Sequence, residues 1–240
     1  MEVLKDLHLA HVTHIPFENL DVLLRRPILL DTESLWRKLV TGGRGGYCYE
    51  QNAVFAAVLE AVGFRVRRLA ARVRYGATEV RARTHMLLMV EAAGEIWLAD
   101  VGFGADGLVH PIPFRPGEES EQFAWKFRLV SEAPNYALQR WRPEGWLDLY
   151  SFGLEQHFPI DYVVANHYTA THPNSGFVRR LTAQFAGPER SIMLVNRTFT
   201  ERTPTGATET PVSDDETLLT TLAERFGLVF PAGTKFPFDE

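Results

Sequence analysis

Three residues in this sequence, Cys48, His85 and Asp100, have side chains that could act as nucleophile, base and orienting carboxylate in one catalytic site. Cys48 is the only cysteine in the 240 residues, and four glycines lie between positions 42 and 46. An apolar helical pattern follows, so we expect Cys48 in the first turn of a helix, where the helix dipole favours the thiolate. A buried, inert thiol is the alternative, because free cysteine is one of the most often buried residue types.

The spacing of His85 and Asp100 predicts that they meet across a β-hairpin. Two strand patterns flank the turn at 91–94. If that turn is a four-residue loop, Val90 pairs with Glu95, and His85 then lies directly opposite Asp100 with Cβ atoms about 5 Å apart. A shift of one residue would place the two side chains on opposite faces. A carboxylate so placed would orient the imidazole of a catalytic base, and a purely structural His–Asp pair is the alternative.

Composition and charge favour an ordinary globular protein with a substantial core. The chain is 45% hydrophobic, and its length fits one large domain or two to three tightly packed subdomains. A net charge of −5 gives no indication of nucleic-acid binding or of an anionic membrane surface. No apolar run is long enough to span a membrane, and the N-terminus lacks the apolar core of a signal peptide. A single cysteine fits a reducing compartment, so we expect a cytoplasmic protein.

Hydrophobic periodicity divides the chain into a helical first part, a β-rich middle that would suit a small barrel, and a mixed last part. Helices are predicted near 2–12, 32–39, 48–62, 159–170 and 214–226, and strands near 64–73, 84–90, 95–101, 123–129, 136–141, 146–150, 178–185, 191–197 and 199–203.

Two further motifs carry weaker signals. Residues 102–107 match G-x-G-x-x-G, but the prolines at 111 and 113 prevent the helix that a dinucleotide-binding motif should open. His8, His11 and His14 recur at helical spacing and could form a metal-binding face. No carboxylate or cysteine of obvious role accompanies them, so we expect solvated or half-buried histidines and no metal site.

Several stretches together resemble the arylamine N-acetyltransferase family over essentially the whole chain. The most specific is Arg-Gly-Gly-x-Cys-x-Glu, followed at the family's spacing by the later histidine and aspartate. The matching segments are 15–20, 44–52, 84–86, 100–104 and 166–177, the last of which contains Thr-His-Pro-x-Ser.

The resemblance implies an α+β fold with a cysteine-protease-like core. It implies an N-terminal helical domain that carries the nucleophile (1–64), a central antiparallel β-barrel domain with the histidine and aspartate (65–158), and a C-terminal α/β lid domain (159–240). The family's Cys-His-Asp triad maps onto Cys48, His85 and Asp100.

The implied activity is that of an acyltransferase that moves an acetyl group from acetyl-CoA to an arylamine or hydrazine. Acetyl-CoA would be a co-substrate rather than a bound cofactor, and the reaction would follow a ping-pong mechanism through an acetylated Cys48. Its partners would be acetyl-CoA and a small aromatic amine. The family's pocket positions fall at Phe17, Thr84, Phe103, Gly104 and Phe177.

Three other functions remain open on the same residues. A related amide synthase, which releases a polyketide chain by joining it to its own aryl amine, would keep the triad but need a wider pocket. A hydrolase of the protease or transglutaminase type would also use Cys, His and Asp. A binding protein with an inert Cys48 would react slowly with iodoacetamide at neutral pH.

One departure from the family concerns the start of the chain. Family members usually have one more helix before the segment that begins here, so either that helix is missing or the start has been assigned too far downstream. Val3, Leu4 and Leu7 form an apolar stripe that is expected to pack on the Cys48 helix. Without a neighbouring helix part of this stripe would face water, and we expect lower stability or self-association.

Overall fold

The computed structural model describes residues 1–239, whose elements follow one another in three regions. The first region is mainly helical and ends with the helix that carries Cys48. Its elements are α1 (Glu2–His14), β1 (Phe17–Glu18), α2 (Leu20–Leu23), α3 (Thr32–Leu35), which continues as a π-helical turn (Trp36–Thr41), and α4 (Cys48–Ala61).

The middle region is an eight-stranded antiparallel sheet that curves into a nearly closed barrel. Its strands are β2 (Arg65–Val73), β3 (Arg83–Ala92), β4 (Glu95–Ala99), β5 (Ile112–Pro113), β6 (Glu119–Gln122), β7 (Trp125–Glu132), β8 (Asn135–Arg142) and β9 (Gly145–Phe152). They lie in the order β5-β4-β3-β2-β9-β8-β7-β6. Strand β3, which carries His85, is buried along most of its length because the helical region packs on it.

The last region combines two helices with a five-stranded sheet. Its elements are α5 (Pro159–Thr171), a 3₁₀ turn (Gly176–Val178), β10 (Thr182–Phe185), β11 (Ser191–Val195), β12 (Thr198–Thr203), β13 (Gly206–Pro211) and α6 (Asp215–Phe226). Strand β1 of the first region completes this sheet, in the order β1-β10-β11-β12-β13. The three regions together confirm the predicted α+β class.

The last region also differs from the sequence prediction in two places. The strand predicted at 178–185 covers only 182–185, because the chain first makes the 3₁₀ turn. Strand β13 was not predicted, since its side chains are exposed throughout and show no alternation of apolar and polar residues.

Helix α4 begins at Cys48, as predicted from the glycines before it and the apolar pattern after it. The Glu50 carboxylate accepts a hydrogen bond of 3.0 Å from the Tyr47 N–H and pairs with Lys38 Nζ at 2.6 Å. This satisfies one of the backbone donors that a helix start leaves open. A Cβ on Gly45 would lie 2.0 Å from the Pro16 carbonyl oxygen, so only glycine lets the preceding loop lie against the segment before β1.

The β3–β4 hairpin has a different register from the one predicted. Ala92 pairs with Glu95, and Val90 pairs with Trp97 rather than with Glu95. The turn therefore consists only of Ala93 and Gly94, both with positive φ. The prediction that His85 lies directly opposite Asp100 is wrong, because the observed pairing register differs from the predicted one by two residues. Because a shift of two residues leaves side chains on the same face, the two can still meet diagonally.

Two large buried clusters of side chains hold the chain together. The larger unites the helical region with the barrel and includes Leu4 and Phe55 as well as Leu87. The second lies in the last region, where Phe226 packs near Leu20 of the first region. The residues around Leu20 therefore belong to the core of the last region, although they lie far from it in the chain.

The packing of α1 corrects two expectations. Within the predicted stripe Leu4 is fully buried and Leu7 is half-buried against the core, whereas Val3 is 55% exposed, so only part of the stripe packs and part faces water. The buried face of α1 combines Leu4 with His8, His11 and Val12, which recur at helical spacing. His8 and His11 are buried against the edge of the Phe55 ring of α4, so the expectation of solvated or half-buried histidines is wrong for both.

Among residues 1–239 we find no helix with the length and apolar character needed to cross a bilayer.

Candidate active site

Cys48, His85 and Asp100 come together although they belong to three different elements. Cys48 occupies the first turn of α4, His85 lies near the start of β3, and Asp100 directly follows β4. Their exposed fractions are 3%, 3% and 1%. His85 Nε2 lies 2.7 Å from Asp100 Oδ2, and Cys48 Sγ lies 3.5 Å from the carbonyl oxygen of Thr84. The three candidate residues thus form one buried cluster at the N-terminus of a helix.

A β-bulge at Thr84 bends the start of β3 towards this cluster. Ala71 of β2 pairs with His85 and the next residue, Arg72, pairs with Arg83, so Thr84 is the extra residue on β3. A bulge bends its strand and redirects the neighbouring side chains and carbonyls. Here it brings the Thr84 carbonyl to Cys48.

The electrostatics of the cluster favour a protonated His85. Burial alone would lower the pKa of His85, but the charge and hydrogen bond of Asp100, together with contact to the Cys48 thiol, raise it to about 10. Burial would raise the pKa of Asp100, yet His85 and hydrogen bonds from Asn52 and Gly102 hold it below the usual value. At neutral pH the cluster therefore contains an imidazolium bound to a carboxylate.

Asn52 holds Asp100 in place, a role that was not predicted from the sequence. Its Nδ2 donates to Asp100 Oδ1 at 2.9 Å and to the Met86 carbonyl at 2.8 Å, and its Oδ1 accepts from the Val101 N–H at 3.1 Å. Its position four residues after Cys48 was an available signal, because residues i and i+4 share one face of a helix.

His8 supports Asp100 from the other side. Its Nε2 accepts from the Asp100 N–H at 3.3 Å, and its Nδ1 donates to the Val109 carbonyl at 3.0 Å. Burial lowers the pKa of His8 to about 3, so the ring stays neutral and its two contacts fix one tautomer. Nothing in the sequence indicated this contact, since 92 positions separate His8 from Asp100.

Three of the predicted pocket residues, Phe17, Phe103 and Gly104, line a cavity beside Asp100, and Gln184 of β10 also lines it. The Phe103 ring meets the His85 ring edge-on at 5.4 Å between centroids. Gly104 has φ of 90°, a backbone conformation that favours glycine, and a Cβ there would also displace Gln184 Oε1, which would lie 2.4 Å away.

The other two predicted pocket residues, Thr84 and Phe177, do not line this cavity. Thr84 contributes its carbonyl at Cys48. The Phe177 ring lies 6.0 Å from the ring of Phe17 and 5.4 Å from that of Tyr47, so it belongs to the aromatic group beside the cavity.

Chemically, this cluster is suited to attack on the carbonyl carbon of an ester or thioester. A thiolate is the nucleophilic form of cysteine, and a neighbouring imidazolium both stabilises it and can protonate a leaving group. Within residues 1–239 there is no group of three or more His, Cys, Asp or Glu side chains that could hold a metal ion.

Comparison with known proteins identifies the family. The N-acetyltransferase family model matches residues 1–234. Arylamine N-acetyltransferase of Escherichia coli is 39% identical over 100% of this chain and 87% of its own length. The solved arylamine N-acetyltransferase of Salmonella typhimurium superposes with a TM-score of 0.90 and 37% identity, covering 98% of this chain and 87% of that one.

A further solved structure, Mycobacterium marinum arylamine N-acetyltransferase in complex with CoA, gives a TM-score of 0.90 at 35% identity, covering 94% of this chain and 86% of that one. Sequence and structure agree over nearly the full length, and the chain belongs to the arylamine N-acetyltransferase family of acyltransferases.

Proposed function

We propose that this protein transfers an acetyl group from acetyl-CoA to a small arylamine or hydrazine through an acetylated Cys48. The observation that carries the proposal is the buried pairing of His85 with Asp100 at 2.7 Å beside the thiol at the start of α4. The M. marinum relative forms a complex with CoA, and the E. coli relative is an arylamine N-acetyltransferase, which supports these substrates.

In the first half of the reaction, the Cys48 thiolate attacks the carbonyl carbon of the thioester. The tetrahedral intermediate collapses, its C–S bond to CoA breaks, and the CoA thiolate takes the proton that His85 holds. Acetyl-Cys48 and a neutral His85 remain. Asp100 stays ionised throughout and fixes the orientation of the imidazole.

In the second half, the amine nitrogen attacks the acetyl carbon of acetyl-Cys48. His85 accepts the proton from that nitrogen, and collapse of the intermediate expels the Cys48 thiolate, which restores the starting ion pair. An aromatic amine is weakly basic and enters uncharged at neutral pH. The rings of Phe17, Phe103 and Phe177 offer it apolar contacts.

In this proposal each region has one task. The helical domain (1–64) supplies Cys48, the barrel domain (65–158) supplies His85 and Asp100, and the lid domain (159–240) contributes Phe177. Thr84 and Gly104 would contact substrate through backbone atoms. The protein would work in the cytoplasm, where a reducing environment keeps its one thiol free, and would need acetyl-CoA only as a co-substrate.

Intact-mass measurement after mixing with acetyl-CoA tests the proposal. We expect a gain of one acetyl group that disappears when an arylamine is added, with N-acetylarylamine as the product. Continuous release of CoA without any amine would instead identify a hydrolase. A chain that gains no mass from acetyl-CoA would contradict the proposed function.

A further inference from the structure

The side chain of Gln184 connects strand β10 to the loop that follows Asp100. Gln184 is half-buried and pairs with Phe17 of β1. Its Oε1 accepts a hydrogen bond of 2.9 Å from the Ala105 N–H, and its Nε2 donates to Thr182 Oγ1 at 2.7 Å. Because both ends of the amide have partners, the side chain is fixed with its oxygen towards the loop.

Two hydrogen bonds therefore hold the loop, one on either side of Phe103. Before Phe103, the Gly102 N–H donates to Asp100 Oδ1 at 2.9 Å. After it, the Ala105 N–H donates to Gln184. The position of Phe103 thus depends on one contact to the candidate triad and on one contact to the last region of the chain.

Phe103 is the residue through which this loop reaches the candidate active site. Its ring meets the His85 ring edge-on at 5.4 Å between centroids, and it lines the cavity beside Asp100 together with Gln184. The barrel supports the loop from its other side, since Arg140 Nη1 donates to the Ala105 carbonyl at 3.2 Å. Loss of the contact from β10 would therefore loosen the loop rather than release it.

We propose that Gln184 is a positioning residue for the arylamine, which acts by holding Phe103 where its ring contacts the aromatic ring of the acceptor. The inference rests on the proposed function, in which that ring binds beside Phe17 and Phe103. Gln184 touches neither the thiol nor the imidazole in this role. Binding of an aromatic acceptor therefore depends on Gln184, whereas attack of Cys48 on acetyl-CoA does not. Hydrazine, an acceptor without a ring, makes no use of the Phe103 contact.

Gln184→Leu tests this role, because it removes the acceptor oxygen with little change in volume at a half-buried position. We expect the KM for aniline to rise about fivefold with kcat within about twofold of the parent, the effect of losing one ordinary hydrogen bond. Two reactions should stay at the rate of the parent. They are the transfer to hydrazine, measured as kcat/KM, and the release of CoA from acetyl-CoA in the first turnover.

Two further variants separate the hydrogen bond from a general effect on the sheet. Gln184→Glu keeps an oxygen that can accept from the Ala105 N–H, and the Thr182 hydroxyl can turn to donate to it, so the KM for aniline should return towards that of the parent. Met193→Leu is the matched control, since Met193 pairs with Gln184 across β10 and β11 and the change conserves volume. It should alter neither acceptor.

An unchanged KM for aniline in Gln184→Leu would overturn the positioning role, and so would an equal loss with aniline and hydrazine or a slower first release of CoA. A Gln184→Glu variant as impaired as Gln184→Leu would also contradict it. All of these outcomes leave the proposed function standing. Failure of the parent protein to become acetylated by acetyl-CoA would contradict the proposed function itself.

Discussion

The charge of Asp100 keeps His85 protonated. Asparagine has nearly the same size as aspartate, so Asp100→Asn removes this charge with little change in shape. Asp100→Asn keeps an oxygen that can accept from Asn52 and from the Gly102 N–H. Its amide cannot stabilise an imidazolium, so the pKa of His85 should fall and the thiolate should lose its partner. We expect acetyl transfer to drop by about 10³-fold or more.

The same Asp100→Asn variant should keep the circular dichroism spectrum of the parent, whereas its unfolding midpoint should fall because the buried ion pair with His85 is lost. Iodoacetamide alkylation of Cys48 at neutral pH should slow together with turnover. Near-normal alkylation and turnover would mean that Asp100 is only a structural partner of His85.

Cys48→Ser should abolish transfer, because a serine hydroxyl is not ionised at neutral pH without much stronger activation. The measurement is acetyl incorporation by intact mass together with steady-state turnover. Activity within tenfold of the parent would exclude Cys48 as the nucleophile.

At this scale the sequence was informative about Cys48, His85 and Asp100 because their side-chain types and spacing are rare in combination. It was uninformative about His8. That residue acts through contacts to residues far away in the chain, and a histidine on a helix has no local signature of burial.

Helix α1 carries two histidines that are buried without charge, and this makes part of the protein's stability depend on pH. Burial lowers the pKa of His8 to about 3 and, against the hydrogen bond that His11 donates to Gln51 Oε1, that of His11 to about 4. The unfolded chain therefore binds more protons than the native one between these values and 6.5. Each histidine contributes stability that is present above pH 6.5 and is lost as the pH falls.

His11→Gln isolates one of these contributions, because glutamine can still bond Gln51 but does not titrate. We expect the free energy of unfolding lost between pH 7 and pH 5 to be about 2 kcal/mol smaller in the variant than in the parent. Burial raises the pKa of Glu50 to about 7, which acts in the opposite direction, so only the difference between the two proteins is informative. Urea unfolding at both pH values measures it.

The exposed residue at the end of the same helix provides the control for this measurement, since His14→Gln should keep the full pH dependence of the parent. An identical pH dependence in His11→Gln and the parent would show that His11 is not held neutral by burial.

The β3–β4 hairpin explains why the sequence predicted the right partners from the wrong register. The turn at Ala93-Gly94 needs positive φ at both residues. Asn-Gly or Asp-Gly would have predicted such a two-residue turn, whereas Ala-Gly does not. The loop length was therefore overestimated by two. Because alternation along a strand has a period of two, the error preserved the face on which His85 and Asp100 lie.

For the molecule as a whole, the segment around Asn19 joins the lid to the rest of the protein. Asn19 Nδ2 donates to the carbonyls of Phe177 and Arg180 at 2.8 and 2.7 Å, and its Oδ1 accepts from the Thr182 N–H at 2.8 Å. One buried side chain therefore satisfies three backbone groups of the last region, next to the β1–β10 pairing through which a strand of the first region completes the five-stranded sheet.

Asn19→Ala should destabilise the protein by about 3 kcal/mol, because it leaves these buried backbone groups without partners. Hydrogen–deuterium exchange should be accelerated at the amides of 180–184 and unchanged in the barrel strands. Asn135→Ala, which alters an exposed amide in a barrel hairpin, should change neither stability nor exchange. Unaltered exchange in 180–184 would contradict a tethering role for Asn19.

The overall architecture was accessible from the sequence only through the family resemblance. Periodicity alone indicated helices, then strands, then a mixture. It could not indicate that β1 and Leu20 leave the helical region to complete the sheet and core of the lid. Such long-range packing is decided by shape and burial, which local patterns do not encode.

The presence of one cysteine in the chain has a consequence for oxidative damage. Peroxide converts a thiolate to a sulfenic acid, and many proteins protect that product by closing a disulfide with a second, resolving cysteine. Cys48 has no such neighbour within the 240 residues. A sulfenic acid formed there either is capped by a small-molecule thiol such as glutathione or advances to the irreversible sulfinic and sulfonic acids. The working lifetime of the enzyme under peroxide therefore depends on the thiol concentration around it and, in the proposed mechanism, on the fraction of Cys48 that carries the acetyl group.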